Sequence, residues 1–195
     1  RKDASFADWA EDSAYFYRKK AKCELISTDD LEAYTDFLSQ QDYVTMVAVK
    51  SGDTASENIL ISQEQKDCLA ALGLYPDYTM NGSWCYLALV RNGNEPVLQF
   101  QTQTEQTESY ELPYEEGCLI TNTAAKASEK EFAGLPHSFT LQSSLQEDGL
   151  HASFLIGEDN YCLDQDGINF FVYDPLLSEI VEFTAFAPGE TEVHH

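Results

Sequence analysis

Basic residues are scarce in this 195-residue chain: 11 Lys and Arg face 34 Asp and Glu, for a formal net charge of −23. A body that acidic repels phosphate, so nucleic acid and anionic lipid headgroups are poor partners for it. Long apolar runs are missing too. None approaches the roughly 20 residues a spanning helix needs, and no signal peptide is recognised at the front, so membrane insertion of this segment is not expected. Cysteines are few and badly spaced for metal. Cys23, Cys68, Cys85, Cys118 and Cys162 contain no CxxC pair, which argues against structural zinc, and five thiols cannot all pair within one chain. Cys68 and Cys85 sit in apolar patterns and read as buried thiols.

Catalytic signatures are absent as well. There is no GxSxG elbow, no GxGxxG and no GxxxxGK[ST] phosphate loop. His194 and His195 look like the start of a purification tag and are set aside, which leaves His137 and His151. His151 opens the alternating run His151–Ile156, where a strand would turn it to solvent or onto a backbone carbonyl. Carboxylates are so abundant that no pair of them singles out a glycosidase site. Asp164-Gln165-Asp166-Gly167 matches part of a calcium loop but lacks the terminal Glu, and reads as a tight turn before a strand. Neither a cofactor, a metal site nor an enzyme is expected.

What the chain does have is a core. Apolar residues make up 43% and aromatics 12%, enough to offset the ordering entropy of a folded domain. Charge is uneven: six of the 11 basic residues lie among the first 22 positions, and thirty acids face five bases beyond Lys22. This basic arm fits either a segment following a membrane helix in a longer chain or a helix salting itself onto the acidic body. The expected organisation is an N-terminal helix and connector over 1–26, one domain over 27–186 and a tail over 187–195.

Phe6, Trp9, Ala10, Ser13, Phe16 and Tyr17 recur at helical spacing, followed by an extended piece over Cys23–Ile26. Ser27 or Thr28 is expected to cap a second helix carrying Leu31, Tyr34, Phe37 and Leu38 on its buried stripe. Tyr43–Val49 is apolar on both faces, as a central strand would be. Ser62 and Gln65 fit a capping box, with Cys68, Leu69 and Leu72 on a helical face and Gly73 at the stop. Strands follow at Trp84–Val90 and Val97–Gln101 around an Asn92-Gly93 turn, although Asn81-Gly82-Ser83 is formally also an N-glycosylation sequon. The polar stretch Gln101–Glu111 marks a boundary between two halves. Further strands are expected at Gly117–Thr121, Phe139–Gln142, His151–Ile156, Ile168–Tyr173 and Glu179–Phe186. The fold class is α+β, or mixed α/β, with helices packed on a mixed, largely antiparallel sheet and the Val44 and Ile168 strands in one sheet.

Gly167-Ile168-Asn169-Phe170-Phe171-Val172-Tyr173-Asp174 with Val181–Phe186 resembles the G-L-N hairpin of the ILEI/PANDER-like domain, known from secreted interleukin-like EMT inducers. Leu31–Leu38, Val44–Lys50, Leu69–Leu74 and Ser83-Trp84 resemble its other half, a helix, an A-V-K strand, a helix ending in L-G and an S-W strand. The two halves stand in permuted order relative to the animal members. The resemblance implies a β-β-α sandwich and a non-enzymatic binding module, extracytoplasmic and part of a larger bacterial surface protein, with a glycan as ligand. A structural or protein-interaction domain without a small ligand is the alternative.

Where carbohydrate-recognising members have Arg before the G-L-N glycine, this chain has Asp166; Ser51 replaces the Asp after A-V-K, with Asp53 two residues on, and Asn81-Gly82 replaces Arg-Asp before S-W. The candidate ligand-binding residues are accordingly Ser51, Asp53, Asn81, Ser83, Trp84, Asp166 and Asn169. Trp84 would stack on a sugar ring if partly accessible, and otherwise packs in the core.

Overall fold

The computed structural model describes residues 6–51, 53–54, 57–58, 61–91, 94–103, 108–112, 118–119, 131–132 and 139–194. Helix α1 (Phe6–Ile26) continues through Cys23–Ile26, so the extended connector expected there is helical. The run Lys20-Ala21-Lys22-Cys23-Glu24-Leu25 consists mostly of good helix formers and gives the chain no reason to stop. The end comes where the Ser27 and Thr28 hydroxyls fold back to donate to Glu24 O at 2.8 and 3.0 Å. With both hydroxyls closing α1, the cap of α2 (Leu31–Ser39) falls to Asp30, whose carboxylate accepts from Ala33 N at 3.1 Å. Leu31, Tyr34 and Leu38 are buried as expected.

The cations of α1 close onto the acidic body. Arg18 lies 3.9 Å from Asp42 and 3.7 Å from Asp174, Lys19 pairs with Glu179, and Lys22 Nζ donates to Ile180 O at 2.8 Å. Of the two readings of the basic arm, this geometry is the self-salting one. Helix α3 (Gln63–Ala71) carries the capping box of Ser62 and Gln65. Gly73 follows at φ +74°, where a Cβ would lie 2.7 Å from Asn94 O, so the stop needs glycine both for its backbone and for space.

The strands are β1 (Val44–Ser51), β2 (Asp53–Thr54), β3 (Glu57–Asn58), β4 (Trp84–Arg91), β5 (Glu95–Gln103), β6 (Glu108–Leu112), β7 (Cys118–Leu119), β8 (Glu131–Phe132), β9 (Phe139–Gln146), β10 (Gly149–Ile156), β11 (Asp159–Asn160), β12 (Gly167–Asp174), β13 (Glu179–Phe186) and β14 (Val193–His194). A six-stranded sheet runs β14-β13-β12-β1-β4-β5, and a four-stranded sheet runs β11-β10-β9-β6. The Val44 and Ile168 strands are neighbours, with Val47 opposite Phe170. Every pairing among the described strands is antiparallel, so the mixed character expected of the sheet is not found there. Between β5 and β6, across the polar segment 101–111, the chain changes sheets. The Asn92-Gly93 turn and His137 lie outside the described residues.

Alternation along the central strands sorts two cores. Val47, Val49, Trp84, Tyr86, Ile168 and Phe170 face the helices with Tyr34, Leu38 and Leu69. Met46, Ala48, Cys85, Leu87 and Phe171 face the outer sheet, against Phe139, Leu141 and Phe154. The architecture is therefore three layers, helix on sheet on sheet, in the α+β class. The tail is not separate from it: β14 pairs His194 with Ala185, and buried Gln65 donates to Ala187 O at 2.7 Å and Glu190 O at 2.9 Å while accepting from Gly189 N at 3.0 Å. His194 thus belongs to the sheet, where the sequence reading set it aside.

Candidate functional site

The three connections that the resemblance brings together do meet. Ser51 is registered with Trp84, and Lys50 with both Cys85 and Gly167, so the ends of β12, β1 and β4 lie side by side at one rim of the inner sheet. Asn81 and Asp166 are exposed there, and Ser51 and Ser83 are half-buried. Asp53 pairs through its backbone with Asn58 in the β2–β3 ribbon; its side chain lies outside the described residues.

Side-chain direction then divides the set. Ser51 and Trp84 share a row that faces the helices, whereas Asn169 faces the outer sheet. Trp84 is only 3% exposed and its ring meets Tyr78 edge-on at 6.1 Å, so its apolar surface is spent on the core and a sugar ring cannot stack on it. Asn169 is fully buried and acts on its own turn: it accepts from Gln165 N at 3.0 Å and donates to Gln165 O at 2.7 Å. Both were expected to meet ligand. The correction has one physical cause, since each lies near the start of an apolar strand whose two faces are covered.

A network the sequence did not single out dominates the outer-sheet side of this rim. Lys50, on the same row as Cys85, donates through Nζ to Asp164 Oδ1 at 2.7 Å and to Asp164 O at 2.9 Å. Asp164 Oδ1 also accepts from Ala152 N at 2.6 Å, and its Oδ2 meets His151 Nδ1. The far nitrogen, His151 Nε2, lies 2.8 Å from Asp148 Oδ1. His151 therefore bonds two carboxylates, where the strand pattern led us to expect solvent or a backbone carbonyl. Both hold its pKa above the ordinary value, Asp164 more strongly than Asp148.

The loop that carries Asp164 serves the sheet edge. Asn160 Oδ1 accepts from Phe154 N and Cys162 N, both at 3.0 Å, and with Asp164 on Ala152 it occupies β10 donors that an open edge would leave unpaired. Asp164 holds a left-handed backbone at φ +56°, which Asp tolerates better than most residues. At Gly167, φ +101°, a Cβ would meet Phe186 O at 2.1 Å, so only glycine lets the loop enter β12. Burial raises the thiol pKa of Cys85, and pushes that of Cys162 up to about 12.

A cavity of about 470 Å³ lies on the opposite side of the molecule, between α2 and α3, lined by Glu32, Thr35, Asp36, Glu64, Asp67, Cys68 and Ala71. Asp36 Oδ2 accepts from Gln40 at 3.1 Å and Asp67 Oδ1 from Gln63 at 2.8 Å; none of the four carboxylates is in an ion pair among the described residues. Glu32 and Glu64 sit in the first turns of their helices, where the dipole favours them. Glu32 with Asp36, and Glu64 with Asp67, are like charges at helical spacing and cost a few tenths of a kcal/mol each. Within the described residues, no three His, Cys, Asp or Glu converge closely enough to hold a metal ion. The heptad-like positions of these acids were readable in the sequence, but among 34 carboxylates nothing distinguished them.

No family model, no curated protein and no solved structure matches this chain.

Proposed function

We propose that the domain is a non-enzymatic interaction module that takes a cationic protein segment in the acidic groove between α2 and α3. The observation that carries this reading is the groove itself, about 470 Å³ and lined by four carboxylates that have no cation of their own among the described residues. Their dispersal suits several separate ammonium or guanidinium groups, as on a Lys- or Arg-bearing segment, better than one compact ion. An occupant of that kind relieves the like-charge cost on both helices. The non-enzymatic part is supported by the sequence, which carries no nucleophile elbow and no phosphate loop.

The test is titration of a labelled oligolysine peptide against the wild type and against E32Q/D36N/E64Q/D67N. A second variant with the same charge change elsewhere, E147Q/E158Q/D159N/D166N, separates the groove from the overall field. Loss of binding in the first variant with retention in the second is expected; equal weakening in both would reduce the effect to net charge and overturn the reading.

A second reading, recognition of a surface glycan outside the cytoplasm, is favoured by the meeting of Asn81, Ser83, Ser51 and Asp166 at one rim. Its site would have to lack the Trp84 stacking face. A glycan array read with wild type and with N81A/D166A distinguishes it, because those positions are exposed and their loss should leave the fold intact.

A further inference from the structure

His151 has a carboxylate on each ring nitrogen: Asp164 Oδ2 at Nδ1 and Asp148 Oδ1 at Nε2, the latter at 2.8 Å. A neutral imidazole carries one N–H and one lone pair, so it can donate to only one of them. Whichever nitrogen keeps the proton, the other would then face carboxylate lone pairs at hydrogen-bond distance. The imidazolium alone satisfies both contacts. The geometry points to a proton-operated clasp, in which protonated His151 fastens the β9–β10 turn, through Asp148, to the Asp164 loop that crosses to the inner sheet, and loss of the proton frees the turn.

The two sides of the clasp differ in strength. Asp164 is fixed independently by Lys50 Nζ and Ala152 N, whereas Asp148 has a side chain 74% exposed on a two-residue turn. On deprotonation the proton that remains serves Asp164, and Asp148 withdraws with the turn. The charged and titratable groups around His151 are Asp148 and Glu147 on the turn, Asp164 and Asp166 on the loop, Lys50 on β1, and the thiols of Cys85 and Cys162 beside Lys50 and Asp164. Lys50 and His151 as cations balance Asp148 and Asp164, and without the His proton the group carries one excess negative charge in an already acidic molecule.

Histidine is the side chain whose ordinary range makes such a device act near neutrality, and the raised pKa places the release on the alkaline side of about 6.5. The experiment is an NMR titration of the His151 ring in the folded wild type, D148N and E147Q, with backbone order parameters for residues 147–149 at about pH 5.5 and about pH 8. Expected are a His151 midpoint above the ordinary value, a clear fall of that midpoint in D148N with a smaller one in E147Q, and a turn that is ordered at the acid end and loosens at the alkaline end in the wild type only. D148N should be loose at both. A midpoint at or below the ordinary value, an E147Q shift as large as that of D148N, or a turn whose order ignores pH would each overturn the clasp. Because Asp148 and Glu147 are both exposed, neither variant should compromise folding.

Discussion

Two parts of the molecule join a cation to a carboxylate, and they do it under opposite conditions. Along α1, the Lys19 and Glu179 side chains keep 35% and 40% of their exposure; at the sheet rim, those of Lys50 and Asp164 keep 7% and 22%. Water competes for the first pair and holding two long side chains still costs entropy, so such a contact orients a helix without contributing much to its docking. At the rim, solvent has been removed from the ammonium group and is replaced by a carboxylate oxygen and a backbone oxygen on one residue. There the pair matters less for its attraction than for what its loss would strand. The same acid–base chemistry therefore steers a peripheral element in one place and fixes the crossing between two sheets in the other.

Breaking the buried pair gives the largest expected effect. Lys50→Met takes from Asp164 its buried ammonium partner, at a cost of about 3–5 kcal/mol for a fully buried pair and nearer the lower figure here, because Asp164 keeps some solvent, the Ala152 amide and the His151 ring. Urea denaturation of wild type, K50M, D164N and K50M/D164N measures it. The double variant should lose less than the sum of the single ones, since neither charge then remains alone. Additive losses would show that the rim pair behaves like the one on α1.

Glu182 extends the comparison to an acid on the helical side of the inner sheet, where burial dominates its titration. It lies on β13 opposite Val172, on the helical face, beside the buried Tyr34 phenol. Burial raises its pKa to about 7, against a smaller opposing contribution from the Tyr34 hydrogen bond. A carboxyl raised in the folded state contributes stability that is complete below its unfolded pKa of about 4.5 and is lost as pH rises through about 7. Glu182→Gln should therefore be more stable than the wild type at about pH 8 and lose that advantage towards about pH 4.5. Denaturation midpoints that shift in parallel for both proteins across this range would contradict it.

Much of the fold was legible because it is written in local patterns. Doubly apolar strands mark the centre of the inner sheet, the Ser62–Gln65 box and Gly73 bracket α3, and the polar stretch after Gln101 marks the passage between sheets. The rim network was not legible. Lys50 ends an apolar strand, His151 begins an alternating one and Asp164 opens a turn, and only the register β12–β1–β4, with the edge of β10 laid against the same loop, makes them neighbours. Convergence of the three turns followed from the resemblance, but the direction of Trp84 depended on strand parity against a helical layer. A one-residue difference in parity would have turned it toward the outer sheet instead. The cap of α2 was misplaced for a subtler reason: Ser27 and Thr28 are good caps, but they were already engaged by the end of the preceding helix.

The smallest expected effects lie on α1, and salt separates them from everything else. Lys19→Ala removes the Glu179 pair, yet both groups reach water, and the denaturation midpoint should not move measurably at moderate ionic strength. Salt acts on the whole body in the other direction. Thirty acids stand against five bases beyond Lys22, and at a Debye length of about 8 Å in 0.15 M salt most of that repulsion between exposed groups is screened. The melting temperature of the wild type should rise between low and moderate NaCl at neutral pH, K19A should rise with it, and the deficit of K50M should persist because its site is shielded from ions. If added salt lowered the melting temperature of the wild type but not of K19A, the exposed pairs of α1 would outweigh the repulsion of the body, and the contrast between the two regions would be reversed.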